Sequence, residues 1–232
     1  MCDHKPIVTI DGPSGGGKST VSRALAARLG FTYLDTGAMY RAVAYACGQQ
    51  GIDPTDALQL EPLLAAIQIN LLPPAEGEED VRVLVDGQEV GRYLRTPEMG
   101  MLASKVSAQP LVRRTLTVLQ QQIGAAGRIV AEGRDTGTVV FPQAAWKFYL
   151  DASPEVRAHR RAAQLLRQGK SVDEQQLLAQ IIQRDRDDRE RAIAPLKAAP
   201  DAMLIDSTGL AAEAVIGLMY DRVMAAACCV GK

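Results

Sequence analysis

Apolar residues fall into short runs separated by longer amphipathic stretches, the pattern of a parallel sheet whose strands are joined by crossover helices. Ile7 to Ile10, Phe31 to Leu34, Arg128 to Ala131, Trp146 to Leu150 and Met203 to Ile205 are the strand candidates, each short and apolar. Lys18 to Leu29 reads as a helix with Val21, Leu25, Arg28 and Leu29 along one side and Gly30 closing it. Ser153 and Pro154 open another, as cap and first-turn proline. The expected fold class is α/β.

Two regions interrupt this rhythm. From about Gln68 to Leu94 the pattern is alternating β structure, with Asp86-Gly87 as a hairpin turn between Val81–Val85 and Gln88–Val90. This reads as an insertion, and its polar, acidic loop from Pro73 to Asp80 carries no assigned chemistry. The second interruption is the charged tract RDRDDRER, Arg184 to Arg191, at the end of a helix that Ser171 to Glu174 opens with a capping box. Opposite charges four apart along this tract would by themselves describe a self-paired exposed helix face. No internal repeat is visible at solenoid periods.

A chain of 232 residues with 47% hydrophobic and 23% charged residues has the composition of a globular domain that buries a proper core. No apolar run approaches a membrane span, and the start MCDHKPIVTID lacks a secretory pattern, so the expected setting is the cytoplasm. Cys2, Cys47, Cys228 and Cys229 have no metal-ligand spacing and are expected to be reduced, with the last two in the tail. His4 and His159 have no companions at such spacing either. A formal net charge of −1 gives no general field for nucleic acid, so no nucleic-acid or membrane partner is expected. The expected state is a monomer.

Gly12-Pro13-Ser14-Gly15-Gly16-Gly17-Lys18-Ser19 fits the pattern G-x-x-x-x-G-K-[ST] between a strand and a helix, the setting a phosphate loop requires. Glycines let backbone N–H groups converge on phosphates, and the helix N-terminus adds partial positive charge. Lys18 is expected to reach the β and γ phosphates of a nucleoside triphosphate, and Ser19 to offer a hydroxyl to the accompanying Mg²⁺. The fold class sharpens to a parallel sheet of the phosphate-loop NTPase type. Such a loop leaves GTPase, motor, transporter and kinase open. A guanine-reading N-K-x-D sequence is absent, since the single asparagine, Asn70, precedes Leu71.

Asp35 to Arg41 (DTGAMYR) and Glu132 to Gly137 (EGRDTG) share a theme of strand end, glycine, arginine and carboxylate. Strand ends are where ligands collect in open α/β sheets, and the planar fork of arginine suits phosphate. Together with SPEVRAHRR and RDRDDRERAIAPL, these segments make the chain resemble the bacterial cytidylate kinases, nucleoside-monophosphate kinases with a phosphate loop, over nearly its whole length. Thr36 stands where serine is usual and Glu132 where aspartate is common, and both keep the functional group.

The resemblance implies transfer of the γ-phosphoryl group of ATP to CMP or dCMP. It implies ATP contacts from Gly12 to Thr20, with Arg157 and Arg161 from the RAHRR run; Arg160 is the least favoured of its arginines, because one helix face does not present them all. Arg41, Arg134 and Arg191 would clamp the acceptor phosphate, with Thr36 beside them. Arg184 and Asp188 would hold the ribose, and Ser104, Arg113 and Asp135 would read cytosine. It also implies a core of residues 1–35, 104–156 and 192–232, a monophosphate-binding region with the β insertion at 36–103, and a short lid at 157–191.

The chemistry of the base fits those types. Cytosine offers a donor at N4 and acceptors at N3 and O2, which a carboxylate and an arginine match; uracil reverses N4 and N3. Taken alone, Ser104 on a helix is an ordinary side chain. A kinase for UMP or AMP, and a nucleotide-dependent switch that makes no diphosphate, remain the alternatives.

Overall fold

A computed structural model describes residues 6–229 apart from 79 and 168, with backbone alone for 97 and 226–229. His4 and Cys2 therefore lie outside the described residues. The chain divides into two compact units, one of residues 1–33 and 124–232 and the other of residues 34–123.

The first unit is built on a parallel sheet. β1 (Ile7–Asp11), β2 (Thr32–Asp35), β6 (Ile129–Gly133), β7 (Trp146–Asp151) and β8 (Met203–Asp206) line up in the order β2-β6-β1-β7-β8, and the boundary between the units falls inside β2. All five strands come where the apolar runs predict them. β1 is central because it pairs in parallel with β6 on one side and β7 on the other. Its alternation then sorts its side chains: Val8 and Ile10 enter a core with Val130, Phe148, Leu150 and Ile205, leaving Thr9 and Asp11 for the opposite face.

α1 (Lys18–Leu29) and α9 (Ala212–Cys229) cover the core face with Val21, Leu25 and Ala26 and with Val215, Ile216, Met219 and Val223. The buried side of α1 is Val21, Ser22, Leu25 and Ala26, so the sequence-based face is corrected at Arg28. Arg28 is exposed, its guanidinium 4.1 Å from the Tyr220 ring centroid, where a long charged side chain keeps its head in water. Cys228 and Cys229, read as tail, are the last residues of α9.

α7 (Pro154–Arg167) and α8 (Glu174–Glu190) pack on each other within the same unit. The capping residue of α8 is Asp173, whose carboxylate accepts from Gln176 N–H at 3.0 Å. This corrects the expected Ser171 cap. Aspartate at that position puts its charge against the positive end of the helix.

In the second unit α2 (Thr36–Gln50), α3 (Ala57–Ala66), α4 (Gly91–Leu94), α5 (Pro97–Ser107) and α6 (Pro110–Gly124) accompany an antiparallel sheet of β3 (Ile69–Leu72), β4 (Arg82–Val85) and β5 (Gln88–Glu89). Asp86 and Gly87 turn the hairpin with φ of 50° and 79°, the left-handed pair a tight two-residue connection needs. The β pattern stops short of Leu94. Val90 and Leu94 are both buried at helical spacing, and the chain turns into α4 at Gly91. Residues 104–123 belong to this unit, whereas 157–191 stay in the first. Among the described residues no helix is long and apolar enough to cross a membrane.

Candidate active site

The loop from Gly12 to Gly17 leaves the C-terminal end of β1 and delivers Lys18 and Ser19 into the first turn of α1. Gly12 has no alternative there, because a Cβ would lie 2.0 Å from the carbonyl oxygen of Leu150, at a φ of 152°. Lys18 is buried, and its Nζ donates to the Pro13 carbonyl at 2.7 Å, folding the loop around its own ammonium. Burial, reinforced by the Arg134 charge, pushes the Lys18 pKa down to about 7, against the opposing pull of Glu132. An anion at the loop would reverse that shift.

Asp11, the last residue of β1, sets what lies next to the loop. Its carboxylate accepts from the Thr136 N–H at 2.8 Å, the Thr136 hydroxyl at 2.7 Å and the Gly137 N–H at 2.7 Å. Burial raises its pKa while these hydrogen bonds oppose the rise. The bonds tie β1 to the π-helical turn Thr136–Val140 that follows β6. Arg134 and Asp135 sit immediately before that turn, so the two strand ends are locked together at the point where both functional segments begin.

Arg134 donates from Nε to Asp188 at 2.8 Å and from its terminal nitrogen to the Gly133 carbonyl at 3.3 Å. Arg191 reaches Asp135 at 3.4 Å and Asp188 at 3.7 Å, and its Nε donates to the Ala194 carbonyl at 2.6 Å. Asp188 thus stands between two guanidinium groups. Burial alone would raise its pKa, but Arg134 and Arg184 outweigh this and hold it below the usual carboxylate range. Burial likewise opposes the charge on Arg134, and Asp188 overrides it. Glu132, buried at the end of β6, accepts a hydrogen bond from the Tyr33 hydroxyl.

The RAHRR run on α7 splits three ways. Arg157 is 1% exposed, with its guanidinium committed to the carbonyls of Ala152 and Ser14 and to the carboxylate of Asp185. These bonds hold Arg157 against the carbonyl side of the Ser14–Gly15 peptide. Arg160 donates to the hydroxyl and carbonyl of Ser207, just past β8, at 3.1 and 2.6 Å. Arg161 bonds Gln164 along the outer side of its own helix at 2.6 Å.

The remaining candidates lie in the second unit. Asp35 caps α2 by accepting from the Ala38 N–H at 2.8 Å and pairs with Arg41 at 3.0 Å, so one carboxylate orders both the helix start and the arginine one turn along. Thr36 is buried as the first residue of α2. Arg113, on α6, is 4% exposed, donates to the Ser107 carbonyl at 3.0 Å and lies 5.4 Å from the Tyr40 ring centroid. The Ser107 hydroxyl donates in turn to the Ser104 carbonyl at 2.8 Å, which joins Arg113 and Ser104 in one network. Burial with these partners sets Arg113 apart from an ordinary surface arginine.

Among the described residues no group of three or more His, Cys, Asp or Glu side chains could hold a metal ion. A Ser19 hydroxyl beside a phosphate loop suits a Mg²⁺ that is held mainly by phosphates and water.

A family profile described as cytidylate kinase matches residues 8–225. The chain belongs to the cytidylate kinase family. Among curated relatives of the family, the cytidylate kinase of Pasteurella multocida is 47% identical, the match covering 92% of this chain and 92% of that one. The bifunctional pantoate ligase/cytidylate kinase of Synechococcus elongatus is 51% identical over 94% of this chain, which spans 43% of that protein's length. A solved structure from Eubacterium ventriosum aligns with a TM-score of 0.50 at 10% identity, covering 95% of this chain and 99% of that one, a likeness of fold alone. Cytidylate kinase membership is thus carried by sequence, and the sheet and phosphate loop agree with it.

Asp11, Tyr40, Ser107 and Asp185 were not singled out as partners of the site. Asp11 left one local signal, an aspartate ending the apolar run of β1, and Asp35 stood in the DTGAMYR segment without its role as cap of α2 and partner of Arg41 being drawn; Tyr40, Ser107 and Asp185 depend on contacts between elements that no spacing reveals.

Proposed function

We propose that this chain transfers the γ-phosphoryl group of ATP to CMP or dCMP, giving ADP and CDP or dCDP. What carries the reading is the cluster of Arg134 and Arg191 around Asp188, next to a buried Lys18 whose charge Arg134 already perturbs. A nucleotide-dependent switch has one polyphosphate to hold and no use for a second set of cations; a kinase must bring two anionic phosphates together.

In this reading the loop amides and Lys18 bind the donor, and the Ser19 hydroxyl would help hold a Mg²⁺ that would neutralise charge on the donor's terminal phosphates. Arg134 and Arg191 exchange a carboxylate partner for the acceptor phosphate, whose oxygen is already a competent nucleophile, so positioning supplies most of the rate. Arg41 is the corresponding phosphate ligand of the second unit. Arg184 and Asp188 hold ribose, and Asp135, Arg113 and Ser104 read cytosine. Arg161 remains the donor-side candidate on α7, and Arg160 joins it through its hold on the segment after β8. Residues 36–103 act as the monophosphate-binding region and 157–191 as a lid that excludes water.

Purified protein given Mg²⁺, ATP and each of CMP, dCMP, UMP, AMP and GMP in turn tests this. Acceptor-dependent ADP confined to CMP and dCMP is expected. Preference for another monophosphate would overturn the base reading, and ADP formation indifferent to acceptor would overturn the kinase.

A further inference from the structure

Arg157 is a large cation with almost no exposed surface, and its partners come from three separate segments. Its Nε donates to the Ala152 carbonyl at 2.9 Å, one terminal nitrogen to the Ser14 carbonyl at 3.0 Å and to Asp185 at 3.1 Å, and the other nitrogen to the second oxygen of Asp185. Asp185, on α8, is 3% exposed, so the fork-to-fork pair is desolvated on both sides. Ser14 belongs to the phosphate loop.

The carbonyl of Ser14 and the N–H of Gly15 are two ends of one peptide group. In a planar trans peptide they point in opposite directions. An arginine that draws the Ser14 oxygen toward α7 therefore turns the Gly15 N–H away from α7. Gly15 itself rests on Arg157: a Cβ added there would lie 3.2 Å from the Arg157 Cβ, and its φ of 78° is one that only glycine adopts readily. Gly15 is exposed on its other side.

We propose that Arg157 is a positioning residue that sets the Ser14–Gly15 peptide plane so that the Gly15 N–H donates to a phosphate oxygen of the donor nucleotide, with Asp185 fixing Arg157. The arginine never touches the nucleotide. Because Asp185 shares α8 with Arg184 and Asp188, the same helix that carries acceptor-side groups also braces the donor cradle. This rests on the reading of Gly12 to Ser19 as the donor site.

The test separates positioning from packing. Arg157→Met alone strands a buried aspartate and is expected to be poorly folded. The double variant Arg157→Met/Asp185→Leu removes both charges and is expected to recover thermal stability. Its affinity for ATP in calorimetry should nevertheless remain about ten- to a hundredfold weaker, the worth of one hydrogen bond to a charged group, while affinity for CMP changes by less than about threefold. Asp185→Asn, which keeps shape, should shift the amide resonance of Gly15 in the ligand-free protein. A stable double variant with unchanged ATP affinity would overturn the proposal, as would an Asp185→Asn protein whose Gly15 resonance does not move. The resonance is read without nucleotide, so its result stands even if ATP proves not to be the donor.

Discussion

Asp188 accepts a 2.8 Å hydrogen bond from Arg134 Nε and lies 3.7 Å from Arg191, so one carboxylate on α8 aligns an arginine after β6 with one at the end of its own helix. In a ligand-free site this keeps two like charges ordered without letting them repel. The cost is competition, since an incoming phosphate must displace part of the pairing.

Replacing Arg134 by alanine removes a phosphate ligand and leaves Asp188 short of a partner. We expect kcat with CMP to fall by about a hundred- to a thousandfold, the scale of losing one preorganised donor, with ATP affinity changed little. Steady-state kinetics with separate titration of ATP checks this; a loss confined to ATP affinity would contradict it.

Asp135 pairs with Arg191 at 3.4 Å and is buried. Asp135→Asn replaces an acceptor-only group with one that can also donate to the O4 of uracil. The ratio of kcat/KM for CMP over UMP should drop by about ten- to a hundredfold. An unchanged ratio would remove Asp135 from base recognition.

Burial, with the Arg134 charge, pushes the Lys18 pKa down to about 7. A bound polyphosphate stabilises its ammonium form, so binding above that pH takes up a proton and ATP affinity falls as pH rises, by up to about tenfold per pH unit. Below it Lys18 is protonated in both states and contributes no pH dependence. Calorimetry at pH 8 in buffers of differing ionisation enthalpy should show proton uptake, and its absence would place the Lys18 pKa elsewhere.

Asp11→Asn turns one of three accepted hydrogen bonds into a clash of donors at the junction of β1 and the π-helical turn. We expect a loss of about 1.5–3 kcal/mol in stability, readable in denaturant titration. Thr136→Val, which deletes only the hydroxyl, should cost less.

The five strands of the parallel sheet were legible because each is a buried apolar run, and the hairpin because Asp86-Gly87 has few other uses. The phosphate loop was legible for the same local reason. Helix faces were harder: Arg28 sits at an apolar spacing on α1 yet stays outside, because a long stem can cover apolar surface while its charge remains in water. Arg157 shows the deeper limit. A run of arginines on one helix tells nothing of which is swallowed, since that depends on Asp185 twenty-eight residues away and on a loop carbonyl 143 residues away. Asp188 and Arg191 look like any self-paired helix face until Arg134 is brought between elements to meet them.

Following label from the γ-phosphate of ATP in the presence of CMP tests phosphoryl transfer most directly. Label should appear in CDP, in proportion to enzyme and in step with ADP, and should vanish with Lys18→Met while the protein stays folded. Label released only as inorganic phosphate, or retained in ATP whatever the acceptor, would contradict a cytidylate-directed kinase.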